Sequence, residues 1–314
     1  MTKDGTGQAL VLLNAAAGGG RAGRIWRSLE RHPHGGEVEL LTPGSVRETR
    51  ALLADRLTDS DVDRLVAIGG DGTAHLAVDA LLRAGRGDDV AFGLVPAGTG
   101  SDFARGVGLP KRPADAFALA LGHGSGRQGP RPVDVVEIET DDGDRRFCLN
   151  IASAGLSGAV DEAVDEARLR GGGSYLAATV ATLLRYGAVP YRVEVDGAAV
   201  HDGDLFLVAM ANGRYFGRGM RVAPDAEVDD GLLDVVIVPP IPKWQMPWRL
   251  PAFLSGRHVR WPEVKSLRGR EIRLVPGQGH VRGSGSPPFD LDGETHPAAP
   301  ATFRVLPGAL RLQG

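Results

Sequence analysis

The stretch that most restricts the fold is "LVAIGGDGTAHLAVDALLRAG", Leu65–Gly85. Four apolar residues in a row, Leu65–Ile68, suit a strand buried on both faces. They run into Gly69-Gly70-Asp71-Gly72-Thr73, and a helical pattern follows. Strand, tight turn and helix in succession is the repeating unit of a parallel α/β sheet. Similar strand-like runs occur at Ala9–Leu13, Val38–Leu41 and Val90–Val95. Between the second and third, "SVRETRALLADRLTD" reads as a helix. Ser45 and Glu48 have the spacing of a capping box, and Val46, Leu53 and Leu57 recur at helical intervals.

The texture changes after the Gly/Pro/Ser-rich segment 122–132, "GHGSGRQGPRP". Alternating strands dominate beyond it, among them "VDVVEIET", "RFCLNIA", "YRVEVDG", "DLFLVAMA" and "LLDVVIV". Such a series predicts an antiparallel sandwich or barrel, interrupted by helices near 159–169, 175–186 and 244–259. A chain of 314 residues exceeds what one core usually serves. The expectation is two domains: an α/β nucleotide-binding domain over 1–122 and a β-rich acceptor-binding domain over 123–300. A last strand near 301–314 is expected to pack back on the first domain.

Formal net charge is −3, so bulk electrostatics favours neither nucleic acid nor an anionic membrane, although a local basic patch could still do so. A single cysteine, Cys148, cannot form an internal disulfide; it suggests a reducing cytoplasm and reads as a buried small residue. Asp4 and Asn14 argue against reading the first residues as a signal peptide, and the apolar stretch 171–184 is too short to span a bilayer.

The glycine-rich turns carry the chemistry. Gly69 and Gly70 let a ligand approach the backbone, and Gly72-Thr73 opens a helix whose N–H groups and dipole favour phosphate. Asp71 there would repel a bare phosphate, but suits Mg²⁺ or a water on it; the plainer alternative is a helix cap. "PAGTGSDFARGVGLP", 96–110, repeats a glycine-rich turn after a strand, with Asp102 opening a helix, and "NAAAGGGRAGR" follows strand one. Three such loops on neighbouring strand ends point to a nucleotide site. No phosphate-binding G-x-x-x-x-G-K-[ST] motif is present, and "GGGRAG" lacks a dinucleotide fingerprint's context.

Taken in order, "GGDGT", "GTGSDFARGVGLP", "APDAEVDDGLLDVV" and "LDGE" resemble the diacylglycerol kinase catalytic-domain family, which includes bacterial lipid kinases and sphingosine and ceramide kinases. The resemblance covers nearly the whole chain. It implies a two-domain fold with ATP between a nucleotide domain and a β-rich domain, and phosphorylation of a lipid hydroxyl, diacylglycerol to phosphatidic acid first. By resemblance, Asn14, Thr42, Gly69, Gly70, Asp71, Gly72, Thr73 and Thr99 contact the nucleotide. Asp71, Asp102 and Asp134 match aspartates of a magnesium and water network. Glu294 matches the base that takes the acceptor's proton, supported by Asp292. Asp230, the Leu232 carbonyl and Glu227 match ligands of a structural Mg²⁺. Strand ends, caps and a water-facing hairpin remain plainer readings of these positions.

The chain departs from the family where His75 and Leu76 replace asparagine and glutamate, where Ser101 replaces asparagine, and where Ala15 replaces proline. His75 reads as an altered nucleotide contact. The departures leave other acceptors open (a sphingoid base, ceramide, a sugar or a specialised metabolite), as well as a homologue that binds nucleotide without turnover. The segment "IPKWQMPWRLPAFLSGRHVRWPE", 241–263, holds Trp244, Trp248 and Trp261 with Lys243, Arg249, Arg257 and Arg260. It reads either as a headgroup contact that brings a cytoplasmic enzyme transiently to a membrane or as a packed surface helix. A homodimer is left open.

Overall fold

The computed structural model describes residues 8–31, 38–123, 129–156, 188–277 and 288–314. The expected helices at 159–169 and 175–186, and 124–128 of the segment 122–132, lie outside them. The chain divides into two compact units, 1–135 with 307–314, and 136–306.

Unit 1 alternates β1 (Gln8–Leu13), α1 (Ala17–Leu29), β2 (Val38–Leu41), α2 (Val46–Arg56), β3 (Val62–Gly69), α3 (Asp71–Arg83), β4 (Ala91–Pro96), α4 (Asp102–Gly106) and α5 (Pro113–Ala120). Its sheet runs β2-β1-β3-β4, every pairing parallel, and Arg311 and Leu312 near the chain's end pair in parallel with Ala91 and Phe92. Leu65–Ile68 and Leu10–Leu12 are buried throughout, as the uninterrupted apolar runs require. Ile25, Trp26 and Leu29 of α1 and Phe117 of α5 share one core, with Trp26 and Phe117 edge to face at 6.0 Å. Gly93 admits α5, since a Cβ there would lie 2.5 Å from the Ala120 Cβ.

In α2 only half of the expected capping box forms. The Glu48 N–H donates to Ser45 Oγ at 3.2 Å, but the Glu48 carboxylate accepts from Gly44 N–H at 2.7 Å. The buried stripe is Thr49, Leu53 and Leu57, while Val46 is 44% exposed. The spacing of four residues aligns Thr49 with the leucines, and the threonine satisfies its hydroxyl on the Ser45 carbonyl at 2.9 Å.

Unit 2 is built from two antiparallel sheets. Its strands are β5 (Arg131–Thr140), which begins in unit 1, β6 (Arg145–Cys148), β7 (Ile151–Gly155), β8 (Val189–Val195), β9 (Ala198–Leu205), β10 (Leu207–Ala211) and β11 (Leu233–Val238). After α6 (Met246–Ser255), which has a 3-10 turn on either side, come β12 (Lys265–Gly269), β13 (Glu271–Pro276), β14 (Phe289–Leu291), β15 (Glu294–His296) and β16 (Ala301–Leu312). One sheet runs β16-β13-β8-β9, and the other runs β12-β11-β10-β7-β14-β15. Period-two alternation sends Val189, Tyr191, Val193 and Val195 inward, where they meet Ile272, Leu274, Phe289 and Phe303 in one core.

Candidate functional site: stitched turns and a locked hairpin

In unit 1 the three glycine-rich turns are fastened to one another. The N–H groups of Ala97 and Gly98 both donate to the Gly69 carbonyl, at 2.7 and 3.0 Å. The Gly70 and Gly98 backbones approach so closely that a Cβ on Gly98 would stand 2.5 Å from the Gly70 Cα. Gly18, Gly19 and Gly20 are consecutive left-handed residues, and a Cβ on Gly18 would fall 2.3 Å from the Ala97 oxygen. A Cβ on Gly19 would meet open space, so the backbone there is accessible. Asn14 joins the set: its N–H donates to the Ile68 carbonyl at 3.1 Å, and its Nδ2 donates to Thr73 Oγ1 at 3.3 Å. Thr73 folds over Gly69, which could not carry a Cβ beneath it.

Asp71, Asp102 and Asp134 each hold protein groups. Asp71 accepts from the N–H groups of Asp102 and Phe103, at 3.1 and 3.2 Å, and so caps the start of α4 rather than of its own helix. Buried Asp102 pairs with Arg105 at 2.8 Å. Buried Asp134 accepts from Gly308 N–H at 2.8 Å. Thr42 and Thr99 are exposed just beyond their strands. His75 is 2% exposed in α3. Ser101, which precedes α4, sits at φ 52, a left-handed conformation that asparagine tolerates better than serine. That gives a physical reason for the asparagine that the resemblance implies at this position.

In unit 2 the sequence Asp292-Gly293 forms a two-residue hairpin between β14 and β15, with both φ values positive, 55° and 90°. Asp-Gly is the favoured pair for that turn. Asp290 Oδ1 accepts from Gly293 N–H at 2.7 Å and its other oxygen from Ser153 Oγ at 3.2 Å. The Asp292 carboxylate accepts from three successive N–H groups, Leu149 at 2.7 Å, Asn150 at 2.9 Å and Ile151 at 3.1 Å, and from the Cys148 thiol at 3.1 Å. Burial and the Asp292 charge push the Cys148 thiol's pKa well up, so it stays protonated as a donor. Asn150 Nδ2 in turn reaches the Tyr215 carbonyl at 2.8 Å, and Asn212 Nδ2 reaches the Leu149 carbonyl at 2.8 Å. Glu294 opens β15, half-buried, opposite Leu291. The 149–151 backbone cradle escaped the sequence reading; a polar Asn150 interrupting the apolar run "CLNIA" was its visible sign.

A second acidic region precedes β11. Asp230 Oδ1 accepts from Leu232 N–H at 3.1 Å, and its other oxygen pairs with Arg268. Glu227 is exposed nearby in sequence, and buried Asp234 has its pKa raised to about 6 by burial and by the charges of Asp225 and Glu227. Among the described residues no group of three or more His, Cys, Asp or Glu forms a metal cage. The donors present fit Mg²⁺ only as one or two carboxylates, completed by waters and phosphate oxygens.

A parallel α/β unit with glycine turns at its strand ends, followed by an antiparallel sandwich, is the plan of a two-domain kinase that draws its phosphoryl group from a nucleotide. Residues 8–138 match the diacylglycerol kinase catalytic domain, and residues 150–314 match the YegS C-terminal NAD kinase beta sandwich-like domain. The chain belongs to the diacylglycerol kinase catalytic-domain family and is a lipid kinase. It is 28% identical over 309 residues to a protein of Mycobacterium tuberculosis named "Diacylglycerol kinase", covering 98% of this chain and 94% of that one. It is 34% identical over 258 residues to a "Probable lipid kinase YegS-like" of Stenotrophomonas maltophilia, covering 81% and 79%. The crystal structure of a diacylglycerol kinase from Bacillus anthracis shares the fold, with a TM-score of 0.70 at 21% identity, covering 99% of this chain and 98% of that one. No helix among the described residues is long and apolar enough to cross a membrane.

Proposed function

We propose that the chain transfers the γ-phosphoryl group of ATP to the hydroxyl of diacylglycerol, forming phosphatidic acid. What carries the acceptor's identity is the match, over 98% of this chain, to a relative named for that activity. The phosphates bind to the exposed glycine backbone of the first turn and to the start of α3, where N–H groups and the helix dipole favour anions. Asp71, Asp102 and Asp134 are the residues that would hold Mg²⁺, which when bound would neutralise charge on the phosphates. Asp230, the Leu232 carbonyl and Glu227 would hold a second, structural Mg²⁺.

In the chemical step the acceptor oxygen attacks the γ-phosphorus, the bond to the β-phosphate oxygen breaks, and ADP leaves. Glu294 takes the hydroxyl proton as the new bond forms. Asp292 positions rather than reacts, because its lone pairs already hold four donors that keep the hairpin in register. Asn14, Thr42 and Thr99 supply nucleotide contacts, and buried Thr73 holds Asn14 in place. His75 belongs to the packing beneath the turn, since it presents almost no surface to a ligand.

The test offers purified protein and radiolabelled ATP to vesicles containing diacylglycerol, ceramide or sphingosine, and to NAD and sugars in solution. Label in phosphatidic acid alone is expected. Label only in a water-soluble product defeats the reading. A magnesium titration followed by thermal melting gives a readout independent of turnover: wild type gains stability, and Asp230→Asn gains less.

A further inference from the structure

Among the described residues five large apolar side chains are exposed, and three of them, Trp244 (72%), Trp248 (79%) and Leu254 (55%), lie within eleven residues of one another. Met246 and Phe253, seven positions apart and so on one face of α6, are buried in the unit 2 core. Trp248 stands two positions on from Met246, roughly 200° around the helix, where a surface helix ordinarily carries polar groups.

The platform beneath is fixed. His258 stacks on Phe253 at 4.3 Å, and its ring nitrogens face the Val222 and Ala252 carbonyls at 3.1 and 3.4 Å. Trp261 meets Phe253 edge-on at 5.7 Å, and Arg249 lies 4.4 Å over the Trp261 ring while pairing with Glu263. Trp261 and Arg249 therefore belong to the support. That leaves Lys243, Arg257 and Arg260 exposed, with no acid between positions 243 and 262 and no carboxylate paired with them among the described residues.

We infer that residues 243–260 form a docking surface for an anionic lipid bilayer. Trp244 and Trp248 sit at the headgroup boundary, and Lys243, Arg257 and Arg260 face lipid phosphates. An indole, apolar in body with one polar N–H, suits that boundary. A second copy of the chain fits less well, because a two-fold contact sets this patch against itself and brings three uncompensated cations against three. The inference rests on the lipid-kinase reading for its purpose and not for its geometry.

The test uses the full chain and vesicles without diacylglycerol, made of phosphatidylcholine alone or with about one-third phosphatidylglycerol, and measures partitioning by sedimentation. Three cations at about fivefold each predict roughly 100-fold tighter binding to the anionic vesicles. Trp244→Ser with Trp248→Ser lowers partitioning about tenfold on both vesicles, with the melting transition retained. Arg257→Gln with Arg260→Gln removes about 25-fold on anionic vesicles only. Equal partitioning of wild type and the tryptophan double variant overturns the inference. So does a shift from dimer to monomer in that variant with vesicle binding unchanged, which assigns the patch to a second copy. Transfer of label to a short-chain, water-soluble diacylglycerol without any vesicle binding sinks the docking surface and leaves the kinase. Vesicle binding with no labelled acceptor does the reverse.

Discussion

Both units place an Asp-Gly pair beside a turn, and both aspartates end up holding backbone N–H groups. Asp71 holds two, at the start of a five-residue helix. Asp292 holds three, two from the link between β6 and β7 and one from the first residue of β7, together with a buried thiol. The first ties the turn that opens α3 to the buried start of α4; the second ties a hairpin to the core of the sandwich. A carboxylate that looks reactive in sequence can thus be an anchor, and the strength of anchoring differs between the two. Two places beyond the second anchor, Glu294 opens β15, half-buried.

The largest effect should come from Asp292→Ala, which strands three main-chain donors and a thiol. A cost of about 3 kcal/mol or more is expected, read as a lowered denaturant midpoint. A variant melting like wild type would break the comparison at its stronger end. Asp71→Asn keeps one acceptor oxygen and should cost about 1 kcal/mol. If Asp71 also serves the metal, kcat falls far more than stability does, and the loss depends on magnesium concentration. A fall in proportion to unfolding would make Asp71 an anchor only.

Gly98→Ala tests how tightly the turns are stitched. The added methyl meets the Gly70 backbone and should cost about 1–3 kcal/mol. Gly19→Ala has space but the wrong φ, and should cost about 1 kcal/mol. Equal melting temperatures for these two variants would show that the turns can spread.

Asp234 gives a pH signature in unit 2. Its folded pKa, about 6, lies above the usual carboxylate value, so the folded state binds the extra proton between pH about 4 and 6. Stability from this group falls as pH rises through that window and stays lower above it. The effect of Asp234→Asn, which also weakens the 3.4 Å pairing with Arg268, should therefore be more favourable at pH 8 than at pH 4, by about 1–2 kcal/mol; the same effect at both would remove the carboxylate's titration as its cause. The smallest effect is expected from Ser101→Asn, a gain of about 0.5 kcal/mol at a left-handed position, checked by calorimetry.

Parts of this arrangement were legible because local chemistry specifies them. Continuous apolar runs gave the buried parallel strands, alternation gave the sandwich, and "LDGE" named its own turn. Val46 misled because helical spacing alone cannot tell an inward stripe from an outward one, and the hydroxyl of Thr49 disguised the buried position. That Asp71 caps α4 rather than α3 is not legible, because sequence does not show that α4 begins within reach of it. The cradle at Leu149, Asn150 and Ile151 is made of main-chain N–H groups, which leave no trace in residue identity except the polar Asn150.

The most direct measurement is phosphoryl transfer by Glu294→Gln, with ATP binding and melting followed in the same preparation. A loss of about 10²–10⁴ in kcat, with ATP affinity and melting unchanged, is the predicted result. Turnover at the wild-type rate would contradict the role given to Glu294, and with it the account of how the hairpin serves catalysis.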